Sequence, residues 1–184
     1  MDKKILMILA DGFEETEAVA PVDVLRRLGI DVTTAGLETE LVRGSHEIHI
    51  KADTLLSAVK VEDFDAIFLP GGMPGSNNLR NSDAVMDALK RMNAKGGFVS
   101  AICAAPIALG RAGLLEGRKA TSYPGHNDKL EGATYTGNRS ERDGNIITGK
   151  GPGASFDFAF ELAVALGKPR GDVKKLFDSM FINI

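Results

Sequence analysis

The chain has one cysteine, Cys103, inside Ala101-Ile102-Cys103-Ala104-Ala105. A nucleophile on a sharp strand-to-helix turn needs small residues two positions to either side. The turn brings backbones together and strains the central residue. Alanine fills both flanks, an apolar run precedes and a helical pattern follows, so the segment reads as a nucleophile elbow. A helix beginning just after the thiol would stabilise its thiolate through free N–H groups and the helix dipole. The competing reading is a small buried apolar residue, the common fate of a lone cysteine. One thiol forms no internal disulfide and builds no multi-thiolate zinc site.

Two further segments could supply polar groups. Pro70-Gly71-Gly72-Met73-Pro74-Gly75 follows a second apolar run, and ligand sites in open parallel sheets lie at strand carboxyl ends. Gly71 and Gly72 can present N–H groups to an oxyanion with no Cβ in the way. Asp11-Gly12-Phe13-Glu14-Glu15-Thr16-Glu17 opens a helix after the first run, where acidic residues are expected from capping alone. Its position gives it more weight, because three strand ends would bring a carboxylate, Gly-Gly and Cys103 to one crevice. Other candidates are weaker. Gly149-Lys150-Gly151-Pro152-Gly153-Ala154 fits G-x-G-x-x-A, but no βαβ unit follows, which disfavours a dinucleotide. His46 and His49 lie three apart on an expected strand and would point to opposite faces, which disfavours a metal pair. His126, in the loop after Tyr123-Pro124-Gly125, is by default an exposed loop residue and only secondarily a proton shuttle.

The elements needed to position these residues are legible. Lys4–Ala10, Asp31–Ala35, Ala66–Leu69 and Gly97–Ile102 read as buried strands, with helices over Glu15–Leu28, Ala84–Met92 and Ala104–Ala112 between them. Strands alternating with helices predict an α/β fold with a mostly parallel sheet. Val19, Val22, Leu25 and Leu28 form one helical stripe. A short hairpin is expected over Leu41–Ala52 and another around Asp143-Gly144. Pro152 suits the first turn of a helix to about Leu166, and a last helix covers Asp172–Phe181. With no repeat, linker or low-complexity segment, residues 1–184 form one domain.

Composition narrows the function classes. With 22 basic and 25 acidic residues, and no Lys/Arg block, the chain lacks the concentrated positive face that nucleic acid demands. No apolar run approaches a membrane span. Met1-Asp2-Lys3-Lys4 and the short run after it lack the features of a signal peptide. The expectation is a soluble cytoplasmic domain.

Gly12–Glu17, Leu69-Pro70-Gly71-Gly72, Ala101–Pro106 and Gly151-Pro152-Gly153 together resemble the ThiJ/PfpI superfamily, and within it the Parkinsonism-associated deglycase (DJ-one-type) branch. The resemblance runs in order along essentially the whole chain. It implies a flavodoxin-like three-layer sandwich, a homodimer and no required cofactor or metal. It matches Cys103 to the family's oxidisable nucleophile, Glu15 to the neighbouring carboxylic acid, and Gly72 and Ala104 to the oxyanion-facing donors. It implies glyoxalase or deglycase activity on small reactive dicarbonyls, together with redox sensing and chaperone-like protection. The alternative to an enzyme is a redox sensor or chaperone in which Cys103 becomes sulfinate. Three departures stand out. Ala104 replaces the histidine that follows the cysteine in peptidase-like members, which disfavours proteolysis. Tyr123 stands where human-type members have the histidine of Thr-His-Pro, with His126 three residues later. His46 stands where those members have an anion-pocket arginine, while Arg27 keeps its counterpart.

Overall fold

In the computed structural model, which describes residues 3–184, the four expected strands pair into one sheet. Met1 and Asp2, part of the segment read above for a signal peptide, lie outside the described residues. The chain runs β1 (Lys4–Leu9), α1 (Glu15–Arg27), β2 (Asp31–Gly36), β3 (Leu41–Arg43), β4 (His49–Lys51), β5 (Thr54–Leu55), β6 (Ala66–Leu69), α2 (Gly75–Asn81), α3 (Asp83–Ala94) and β7 (Phe98–Ile102). It continues with α4 (Pro106–Arg111), β8 (Lys119–Ala120), β9 (Thr134–Tyr135), β10 (Ser140–Asp143), β11 (Ile146–Gly149), α5 (Ser155–Ala165) and α6 (Arg170–Ser179).

The main sheet has seven strands in the order β10-β11-β7-β6-β1-β2-β5. All its pairings are parallel except β10 with β11, a hairpin turning at Gly144, whose φ is 61°. The long parallel strands β2-β1-β6-β7-β11 follow the flavodoxin-like 2-1-3-4-5 order. Burial on both faces explains their unbroken apolar runs. Ile5, Met7 and Leu9 of β1 join one core with Ala18, Val24 and Leu25 of α1 and with α5 and α6. Leu6 and Ile8 join the opposite core with Val85 and Leu89 of α3 and Leu109 of α4. The result is a three-layer sandwich.

Chain order reverses beside β1, so a crevice opens outside the carboxyl ends of β1 and β6. Residues 10–14 and 70–75 occupy it, with the end of β7 adjacent. The β3–β4 hairpin folds over the first of these loops. Gly12 N–H donates to Arg43 O at 2.7 Å and Ser45 N–H to Phe13 O at 2.8 Å.

The structure departs from the sequence expectation in the phase of α1. Ala18, Pro21, Val24 and Leu25 face the core, whereas Val19 is 52% exposed. It also adds α2 and the two-residue strands β5, β8 and β9, none of which is long enough to show a periodicity.

Candidate active site

Cys103 follows β7 directly, with φ 64°, a left-handed conformation that costs a residue with a Cβ about 1–2 kcal/mol. Two backbone bonds hold it there: its N–H donates to Gly149 O at 2.9 Å, and its carbonyl accepts the Tyr123 N–H at 2.8 Å. The expected elbow is therefore present, although helix α4 begins at Pro106, two residues later than the pattern suggests. The residue is only 8% exposed. Ala104 and Gly72 direct their N–H groups at its sulfur.

Gly71 has a different task from the oxyanion role expected of it. Its N–H donates to Glu17 Oε2 at 2.9 Å. A Cβ at this position would lie 2.5 Å from that oxygen and 2.6 Å from Cys103 Cβ, so only glycine lets acid and thiol meet across it. Gly72 has φ 91°, and a Cβ there would come 2.3 Å from Glu14 N.

The carboxylate beside Cys103 is Glu17, which corrects the assignment of Glu15. Glu17 is fully buried and hydrogen-bonds the thiol, while its Oε1 has no nitrogen or oxygen partner. Burial, reinforced by the charge of Glu14, pushes its carboxyl up to about 7. Burial, then the Glu17 charge and hydrogen bond, push the Cys103 thiol up, while the Ala104 and Gly72 N–H groups pull it down. Two groups this close titrate as a unit, and both shifts favour the protonated forms, the thiol more strongly than the carboxyl.

Three glutamates at the start of α1 thus do three different things. Glu14 caps the helix, its Oε2 accepting the Glu17 N–H at 2.8 Å. Glu15 is buried against the β3–β4 turn, where it accepts the His46 N–H at 2.7 Å and pairs with His46 Nδ1 at 2.8 Å. Gly44 makes room, since a Cβ there would lie 2.2 Å from Glu15 Oε1. His46 sits in the turn rather than on a strand. Its hydrogen bond with Glu15 raises its pKa, and that contact holds Glu15 below its ordinary value against the opposing effect of burial.

Among the described residues, donor atoms of Glu14, Glu15 and His46 lie within 4.8 Å of one another. Glu14 is engaged as a cap and Glu15 is paired with the imidazole. The positive end of α1 also opposes a cation there, so the cluster reads as a hydrogen-bonded ion pair.

The remaining candidates are scattered. Arg27 pairs with Asp23 at 3.0 Å. It lies ten residues along α1 from Glu17, about 15 Å by helix rise, so this chain does not bring it to Cys103. Tyr123 touches the elbow through its backbone and is half exposed. His126 lies beyond it, the two rings 6.5 Å apart, with Nδ1 buried and unpartnered. Sequence reasoning chose Glu15 over Glu17, and it read Gly149–Gly151 as part of a G-x-G-x-x-A stretch without placing it behind the thiol. The helical phase of Glu17, in line with Pro21, Val24 and Leu25, was the available signal.

Residues 3–165 match the DJ-1/PfpI family. The chain is 43% identical over 169 residues to Protein dj-1beta of Drosophila melanogaster, covering 90% of each. It is 33% identical over 166 residues to the glutathione-independent glyoxalase DJR-1.2 of Caenorhabditis elegans, covering 90% of this chain and 89% of that one. The crystal structure of Drosophila melanogaster DJ-1beta superposes with a TM-score of 0.92 at 39% identity, covering 100% of both chains.

Proposed function

Because this chain belongs to the DJ-1/PfpI family, we propose that it is a cofactor-independent, cysteine-dependent enzyme acting on small α-oxoaldehydes. The observation that carries this reading is the buried Glu17 carboxyl hydrogen-bonded to Cys103, with two N–H donors aimed at the same sulfur. The glyoxalase relative adds support from homology.

In the reacting form, Glu17 holds the shared proton and Cys103 is a thiolate. The sulfur adds to the aldehyde carbon of methylglyoxal, forming a C–S bond and an alkoxide. As the sulfur loses its charge, the Gly72 and Ala104 N–H groups turn to the new oxyanion. Glu17 protonates that oxygen, removes the former aldehyde carbon's hydrogen as a proton and returns it to the former ketone carbon through an enediol-like state, while the proton on the first oxygen passes to the second. The aldehyde carbon is oxidised and the ketone carbon reduced within one molecule. Water then cleaves the lactoyl thioester, releasing lactate and the starting pair.

The reading extends to a homodimer located in the cytoplasm. No helix among the described residues is long and apolar enough to cross a membrane. The test is purified protein with methylglyoxal, assayed for lactate beside Cys103→Ala. Lactate from the parent and none from the variant is expected. Stoichiometric conversion of Cys103 to sulfinate by peroxide, without any turnover, would instead favour the redox-sensor reading.

A further inference from the structure

The pair formed by Glu17 and Cys103 reacts with its proton on the carboxyl and its charge on sulfur. Burial favours the protonated form of both groups, and of the thiol more strongly. The reacting form therefore needs a bias that keeps the proton on Glu17, and the start of α1 supplies one.

Three hydrogen bonds close a ring there. The Glu14 N–H donates to Gly71 O at 2.8 Å. The Gly71 N–H donates to Glu17 Oε2 at 2.9 Å, and the Glu17 N–H donates back to Glu14 Oε2 at 2.8 Å. Glu17 is thus held twice, its backbone by the Glu14 side chain and its carboxyl by Gly71. Oε2 is committed as an acceptor, so a proton belongs on Oε1, the oxygen without a nitrogen or oxygen partner. The same ring sets the Glu14 carboxylate beside Glu17.

The titratable groups that face Glu17 are Cys103, just after β7, and Glu14, on its own helix start. Glu14 also meets Glu15 and His46, with donor atoms within 4.8 Å, but those two pair with each other. The Glu14 charge acts on the Glu17 carboxyl directly, whereas the thiol answers to burial, Glu17 and the Ala104 and Gly72 N–H groups. A like charge nearer the carboxyl disfavours carboxylate more than thiolate. Capping alone does not call for glutamate, since asparagine, aspartate and serine lead at that position.

We propose that Glu14 is a positioning residue for the acid–thiol pair: its side chain fixes the turn that carries Glu17, and its charge biases the pair's proton onto Glu17, leaving the negative charge on sulfur. The proposal rests on the reading of Cys103 as the nucleophile and adds a residue that acts on it only through Glu17.

The test separates cap from charge. Asparagine keeps the cap acceptor without the charge, aspartate keeps both and alanine keeps neither. Thiolate absorbance and the rate of Cys103 alkylation by iodoacetamide are followed from about pH 5 to pH 9 in the parent, Glu14→Asp, Glu14→Asn and Glu14→Ala, beside thermal midpoints. Glu14→Asn should hold the parent's midpoint yet alkylate about 3-fold or more slowly near neutral pH, the effect of about half a pK unit. Glu14→Ala should show the same slowing together with a lower midpoint. Glu14→Asp should restore the parent's pH profile, which a purely structural cap would not require once asparagine fills it. A Glu14→Asn profile that superimposes on the parent's overturns the proposal and leaves Glu14 as a cap. Faster alkylation in that variant overturns it too, since the charge would then be holding the thiolate down. Alkylation needs no turnover, so the expected slowing in a protein that makes no lactate would sustain the role of Glu14 and remove only the glyoxalase reading.

Discussion

Glu17 illustrates how a reactive site depends on which of several identical residues turns inward. In Glu14-Glu15-Thr16-Glu17 the type of residue was legible but the choice was not. A stripe through Val19 and Val22 carries Glu15, whereas the stripe that faces the core, through Pro21, Val24 and Leu25, carries Glu17. Cys103 was easier to single out, because the chain has one thiol and its flanking alanines suit the tight turn that the structure shows. Thiolate absorbance against pH should therefore shift in Glu17→Leu, which removes the donor, and superimpose on the parent in Glu15→Gln. A shift in the Glu15 variant alone would reverse the assignment. Stability supplies a second check. With its carboxyl raised to about 7 from an ordinary 4.5, folded Glu17 keeps a proton that the unfolded chain has released. Stability from this group is therefore present at low pH and lost as pH rises from about 4.5 to 7, by at most about 3 kcal/mol. Glu17→Gln cannot titrate. Its thermal midpoint should gain on the parent's between pH 5 and pH 8, even as turnover disappears.

At the scale of elements, the β3–β4 hairpin is the part whose role the sequence hid. Alternation at Ile48 and Ile50 suggested a hairpin, but nothing local indicated that its turn would lie on the start of α1. That contact is long-range, made by the Phe13–Gly44 bridge, the Arg43 N–H to Asp11 bond at 2.9 Å and the Glu15–His46 pair. The strands β1, β6 and β7 were legible because a strand buried on both faces leaves an unbroken apolar run. The seven-residue α2 was not, being too short to show a periodicity. The hairpin clamp should respond to pH with a definite sign. Glu15 raises the pKa of His46, so its contribution is complete below the imidazole's ordinary range and is lost as pH rises through the raised value. Amide exchange over residues 41–51, corrected for intrinsic rate, should quicken across that rise. His46→Ala should abolish the pH dependence, and an unaltered profile in that variant would assign the docking to the backbone bonds alone.

For the whole molecule, the unexpected phase of α1 leaves apolar groups outside. Val19 is 52% exposed and borders a depression of about 350 Å³ lined by Ala18, Val22 and Ile50. If a second copy of this chain covers that face, Val19→Asp should convert a dimer to a monomer in light scattering without loss of helical circular dichroism. An unchanged mass would place the dimer contact elsewhere or remove it. The left-handed φ of 64° at Cys103 has a further consequence, one for how such a chain can change over generations. Glycine occupies that backbone region freely, and asparagine does so at lower cost than most residues. A lineage with no use for the thiol could relieve that backbone strain by a single codon change from cysteine to glycine. Cysteine at position 103 carries a backbone cost that glycine would not, and descendants that no longer need the thiol should lose it there before the sheet around it changes.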